Sequence, residues 1–126
     1  MEHIKEIQNA PKPVGPYSIA VKANGFVFLS GQVAIDPVTS KLIEGDVAAQ
    51  IEQVLKNLKA VLHESGSSYE KVVMTTIFLA RMEDFKIVNE VYAKFVSSAN
   101  PPARQTVAVK ELPLGALVEI SLIAVG

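Results

Sequence analysis

Apolar positions along the chain switch between a period of two and a period near 3.6, and the switches mark its elements. From Ile19 to Ala23 apolar and other residues alternate, and Phe26 to Ser30 is a compact apolar run. Between them sits Asn24-Gly25, a pair that tolerates positive φ and suits a two-residue type I′ turn, so the pattern predicts a β-hairpin. Asp36-Pro37 and Gly45 mark a loop or a second short turn. Val47, Ile51, Val54, Leu55, Leu58 and Leu62 then follow helical spacing, with Asp46 placed as N-cap and Gly66 at C′. Gln50, Glu52, Gln53, Lys56 and Lys59 fall on the wet side of this helix, which should run about five turns.

Val72 to Ala80 is rich in β-branched residues and apolar on both alternating faces. Val73, Ile77 and Leu79 oppose Val72, Met74 and Phe78, which predicts a strand buried on two sides. A second helix is expected from about Asp84 to Ser98, with Phe85, Val88, Tyr92, Phe95 and Val96 as its inward stripe. Asn100-Pro101-Pro102 stops it. Arg104 to Val109 and Ala116 to Val125 read as two more strands, separated by Leu112-Pro113-Leu114-Gly115.

The resulting order, strand–strand–helix–strand–helix–strand–strand, is that of a single α+β domain over residues 1–126 with both helices on one face of the sheet. The opposite face is also partly apolar. In the last strand Leu117, Ile123 and Val125 share one side, and Val118, Ile120 and Leu122 share the other. A monomer would leave one set in water, so self-association across the bare face is expected.

Composition narrows the chemistry. The chain has 126 residues, 49% of them hydrophobic and 20% charged, which excludes a disordered chain. Cysteine is absent, and with it disulfides, thiolate nucleophiles and Cys-ligated zinc. Twelve basic against thirteen acidic residues give a net charge of -1. That leaves no overall basic footprint, so nucleic acid is not an expected partner. His3 and His63 lack metal-ligand spacing, and no metal is expected. No apolar run reaches membrane-spanning length, and Met1 to Lys12 resembles neither a signal nor a transit peptide, so a cytoplasmic protein is expected.

Four stretches carry a family resemblance. They are Ala10-Pro11 with Gly15-Pro16-Tyr17-Ser18; Leu29-Ser30-Gly31-Gln32; Asn89-Glu90-Val91-Tyr92; and Pro102-Ala103-Arg104 with Leu112-Pro113 and Val118-Glu119-Ile120. Each piece alone is unspecific, but the ordered set spans the chain and resembles the RidA (YjgF-type) family of reactive-intermediate deaminases. The resemblance implies a chorismate-mutase-like α+β fold, a mixed sheet with two helices on one face, assembled as a homotrimer with ligand sites between subunits. It implies hydrolysis of unstable 2-enamine and 2-imino acids, such as 2-aminoacrylate and 2-iminopropanoate, to 2-keto acids and ammonia. Neither cofactor nor metal is implied.

Against that background the candidate residues acquire roles. A small imino acid carries a carboxylate, and Arg104 at a strand start can grip it through a planar fork that Lys cannot copy. The alternative for Arg104 is a surface residue at a strand end. Glu119 stands in the middle of an apolar strand, where a carboxylate is costly to bury unless paired or used. It would orient or deprotonate the attacking water, or else form a structural ion pair across a subunit interface. With the purely apolar strand faces assigned to the helices, Arg104 and Glu119 are both expected on the other side, toward a neighbouring subunit. Tyr17 follows a rigid Gly-Pro and would wall the pocket, or serve as an interface aromatic. Ser30 and Gly31 end a strand where a ligand can approach the backbone. Asn89 is expected to hold backbone in place. Thr106 stands where many relatives carry cysteine, and its backbone could still serve the site. Two non-deaminase functions stay open on the sequence: a ligand-binding or chaperone-like trimer, and an RNA-acting translation inhibitor.

Overall fold

The computed structural model describes residues 1–126. Eight strands and two helices follow one another as β1 (Glu2–Ile4), β2 (Ala20–Ala23), β3 (Phe26–Gln32), β4 (Ile35–Asp36), β5 (Lys41–Leu42), α1 (Val47–Glu64), β6 (Val72–Leu79), α2 (Phe85–Tyr92), β7 (Ala103–Ala108) and β8 (Val118–Val125). Six strands form one sheet in the order β1-β2-β3-β8-β6-β7, and β4 pairs with β5 in a small separate hairpin. All pairings in the large sheet are antiparallel except β6 with β7, which are joined through α2 as a parallel crossover.

The local signals explain these elements. Asn24 and Gly25 take φ of 52° and 81°, the two positive values a type I′ turn needs, and the hairpin pairs Ala23 with Phe26. Asp46 caps α1 by accepting the Ala49 N–H at 3.0 Å. At the other end Gly66, at φ 77°, lets its own N–H reach the His63 carbonyl and the Ser67 N–H reach that of Leu62. Those two bonds make a Schellman motif and satisfy carbonyls that the helix leaves free.

α1 lays Ile51, Val54, Leu55, Leu58, Val61 and Leu62 onto the sheet face made by Val27, Leu29, Ile77, Leu79, Val118, Ile120 and Leu122. Each such side chain, fully buried, contributes about 1.5–3 kcal/mol of transfer free energy. One wet-side assignment fails. Gln50 is only 4% exposed, because its Oε1 accepts the Leu117 N–H at 2.9 Å and ties α1 to the start of β8. Asn57 is likewise buried, and its Nδ2 donates to the Ile35 carbonyl at 2.9 Å, fixing the chain just beyond β3.

Two further expectations are corrected, and one strand is added to those expected. β6 is not buried on both sides in the single chain: a register shift against β8 between Val72 and Met74 turns Val73 outward to 41% exposure, leaving Thr75, Ile77 and Leu79 beneath the helices. α2 ends at Tyr92 rather than Ser98. Beyond it the Lys94 and Phe95 N–H groups close tighter bonds to the carbonyls three residues back, and Phe95 still packs edge-on against Tyr69 at 5.9 Å. The N-terminal residues Glu2 to Ile4, which carry no strand pattern, pair with β2 and extend the sheet.

The face of the sheet away from the helices carries Phe26, Phe28, Met74, Phe78, Val107, Ile123 and Val125. Phe26 and Phe28 are 42% and 44% exposed, with ring centroids 6.3 Å apart. An uncovered apolar face of this kind is unusual for a solitary domain.

Candidate functional site

Two groups of candidate residues form, on different parts of the sheet. The first gathers where β3 meets β8. A register shift between Leu29 and Gln32 puts Ser30 and Gly31 in an irregular stretch of β3. There the Ser30 N–H donates to the Ile19 carbonyl at 3.0 Å, and its hydroxyl donates to the Ser18 carbonyl at 2.7 Å. Gly31 lies directly against Glu119: a Cβ on this glycine would stand 3.1 Å from Cδ of Glu119 and 3.2 Å from its Oε2. The missing side chain is what gives the carboxylate its place.

Glu119 is half-buried on the open face of the sheet, opposite Phe78 in β6. Burial raises its carboxyl above the usual range near 4.5. It takes no part in the chain's three ion pairs, Lys22–Glu2, Lys56–Glu52 and Arg81–Asp84. An acid held this way, without a fixed partner, is suited to moving protons. Tyr17 approaches from the loop before β2, where its N–H closes a tight turn onto the Gly15 carbonyl at 2.9 Å. Its ring is 48% exposed. Tyr17 and Ser30 line an open cleft of about 830 Å³ together with His3, Lys5, Lys12 and Ser18. Neither Arg104 nor Glu119 borders that cleft.

The second group sits at the far edge, on β7. Its parallel register pairs Arg104 with Thr75 and Thr106 with Ile77, both of which face the helices, so Arg104 and Thr106 face them too. The Arg104 guanidinium carbon lies 5.6 Å from the ring centre of Phe85 and 5.1 Å from that of Tyr92. The Tyr92 hydroxyl in turn shares a 2.8 Å hydrogen bond with the buried Thr75 Oγ1. Burial, the larger effect, raises the Tyr92 phenol pKa, so the ring is neutral. Thr106 Oγ1 is buried with no partner. Asn89 is half-buried on α2 and its side chain makes no hydrogen bond, so it does not hold backbone as expected.

The expectation that Arg104 and Glu119 share a face is therefore wrong within one chain. They lie on opposite faces of the sheet with β6 between their strands. Gln105, Val107 and Val109 occupy the open side instead, with Gln105 Nε2 reaching Thr76 Oγ1 at 3.3 Å. The two rings against Arg104 were legible only as members of an apolar stripe. The usable signal is topological: a helix bridging two parallel strands must place its inner side chains over the start of the second strand.

A profile of the family described as Endoribonuclease L-PSP matches residues 7–126. The chain belongs to that family, the YjgF/RidA/RutC group. Within the family, it is 48% identical over 123 residues to the chloroplastic Reactive Intermediate Deaminase A of Arabidopsis thaliana, covering 98% of this chain and 65% of that protein. A putative endoribonuclease from Thermotoga maritima shares the fold with a TM-score of 0.94 at 44% identity, covering 100% of this chain and 98% of that one. Escherichia coli TdcF, solved with bound serine, matches with a TM-score of 0.91 at 35% identity over 99% of each chain. The α+β fold expected from the sequence is the fold of this family. No helix is long and apolar enough to cross a membrane.

Proposed function

We propose that the protein hydrolyses small 2-imino acids and their enamine tautomers, in sites between the subunits of a homotrimer. Arg104 of one copy grips the substrate carboxylate, and Glu119 of the next handles water. The observation that carries this reading is the separation just described. Each chain holds a cationic carboxylate-binding half at β7 and an acidic half at β3–β8, on opposite faces, and an assembly of copies is what can bring unlike halves together. The apolar open face supplies a reason to assemble, and membership of a family that includes a reactive-intermediate deaminase supplies the chemistry.

In the proposed reaction the Glu119 carboxylate takes a proton from water as its oxygen bonds to the imine carbon. The resulting carbinolamine receives that proton on nitrogen; its hydroxyl then gives up a proton to the Glu119 carboxylate as the C–N bond breaks, so that ammonia leaves and the carbonyl of the 2-keto acid forms. Proton transfer of this kind typically contributes 10²–10⁴-fold in rate. In this reading Gly31 stands against the carboxylate in the acidic half and Thr106 follows Arg104 in the cationic one, while Tyr17 and Ser30 join from the neighbouring cleft and Asn89 from α2. Water is the only co-reactant, no cofactor or metal takes part, and the cytoplasm is the proposed compartment.

Ammonia release from freshly generated 2-iminopropanoate tests the activity, and Arg104→Ala should abolish it. Unaccelerated decay of the imine in the presence of intact oligomer refutes it. Co-assembly of inactive Arg104→Ala and Glu119→Ala chains tests the shared site. Random 1:1 mixing in a trimer restores about a quarter of the sites, so activity near a quarter of wild type is expected, and none is expected if both residues must come from one chain. The family's description favours a second reading, RNA cleavage. Against it stand a net charge of -1 and histidines that line different clefts, His3 with Tyr17 and His63 on α1. RNA cleavage with a steep salt dependence would reinstate it.

A further inference from the structure

We propose that Phe85 and Tyr92 form an aromatic clip that aims the Arg104 guanidinium at the ligand carboxylate, making both rings positioning residues for the acid-binding half of the site. The inference rests on the reading of Arg104 as carboxylate partner. It goes beyond that reading by naming what gives the arginine its geometry.

Arg104 begins an exposed edge strand, where a long side chain would ordinarily sample many rotamers and lose that freedom on binding. Here its guanidinium carbon lies over two ring faces, at 5.6 and 5.1 Å from their centres. These distances are within range for cation–π attraction. The rings come from the two ends of α2, Phe85 at its first residue and Tyr92 at its last. α2 is itself fixed by buried Val88. Tyr92 cannot swing freely, because its hydroxyl is bonded to Thr75 Oγ1 at 2.8 Å inside the core. Thr75 is also the residue paired with Arg104 across β6 and β7. The helix, the strand and the arginine are thus locked to one another by three contacts. No ion pair within the chain engages the guanidinium, so its N–H fork is left to a carboxylate, which it can hold through two parallel bonds. Lysine at this position would have neither the planar stacking surface nor the fork.

The clip makes a measurable distinction between a positioning role and a merely structural one. Phe85→Leu and Tyr92→Leu should weaken binding of 2-ketobutanoate, a stable carboxylate ligand, by about 3- to 30-fold. KM for the imine should rise in parallel, with kcat within threefold of wild type and the oligomer intact. Phe85→Tyr, which keeps the ring, should bind as wild type does. A measurement on the unaltered protein covers the case in which the leucine variants do not fold. The chain has two arginines, Arg81 and Arg104, and ring currents should move the Arg104 Nε–H proton resonance upfield of that of Arg81.

Keto-acid affinity unchanged within twofold in both leucine variants overturns the clip. So does an Arg104 resonance that coincides with that of Arg81. Failure of the deaminase reading looks different. Wild-type protein would then show no turnover, while the ring-current shift and the ring-dependent keto-acid affinity would persist and support the clip.

Discussion

Substituting Gly31 by alanine tests whether the place of the Glu119 carboxylate matters, with little change to anything else. No positive φ is involved, so the backbone tolerates alanine. The added methyl would stand 3.1 Å from Cδ, 3.2 Å from Cγ and 3.2 Å from Oε2 of Glu119, about 0.3 Å short of the 3.4 Å where ordinary contact begins. The backbone at this point is held by the Ser30 bonds to Ser18 and Ile19. The half-buried, unpaired carboxylate is the partner that yields. Turning it away from a preferred rotamer costs about 0.5–1.5 kcal/mol, so the alanine variant should lose roughly 1 kcal/mol of stability, or about 3 °C in melting temperature for a domain of this size. Catalysis should suffer far more. If Glu119 is the base as proposed, its displacement takes it from the reacting water, and a misplacement on the scale of 1 Å can cost about 10²-fold. Steady-state assay of 2-iminopropanoate hydrolysis should show kcat down about 10²-fold with KM little changed. An alanine variant that keeps kcat within a factor of two refutes the reasoning.

Other perturbations follow from the same geometry. Burial raises the Glu119 carboxyl above 4.5, so the folded chain keeps this proton at pH values where the unfolded chain has released it. Its contribution to stability is fullest below the unfolded pKa and is lost as pH rises through the folded one. Glu119→Gln cannot ionise and should gain on wild type in thermal midpoint between pH 4.5 and neutrality; parallel pH curves would refute this. Phe28→Asp places a charge on the open apolar face and should shift the oligomer to monomer in sedimentation analysis, whereas an unchanged trimer would move the interface elsewhere. Thr106→Val removes a buried hydroxyl that has no partner and should stabilise by about 1 kcal/mol in chemical denaturation; a destabilised valine variant would mean the hydroxyl is satisfied.

Much of the fold was legible because its signals are local. Asn24-Gly25 and Gly66 act through their own backbone and Asp46 through a side chain that reaches three residues on, and the structure uses all three as the pattern implies. What escaped depends on pairing partners. Glu2 to Ile4 is a strand only because β2 offers it an edge. Gln50 is buried only because the Leu117 N–H needs an acceptor. Val73 leaves the core only because β6 and β8 shift register beside it. None of these contacts leaves a trace in the periodicity of the segment itself.

The face of β7 is the most consequential case. Arg104, Thr106 and Ala108 alternate with Gln105, Val107 and Val109, so polarity favours the second set as the buried one, and on that basis Arg104 belongs on the open side with Glu119. Pairing decides otherwise. Parallel alignment with β6 puts Arg104 on the side of Thr75, and Thr75 shares the helix-covered face of β6 with Ile77 and Leu79. The register of one strand pair therefore turns β7 over and places the guanidinium beside aromatic rings. Placing the acid on the far face has a functional consequence as well. A cation and a carboxylate side by side in one chain would pair with each other and neutralise both. Kept on opposite faces, Arg104 stays free for an anion and Glu119 stays free for a proton, the condition that the proposed site between two copies requires.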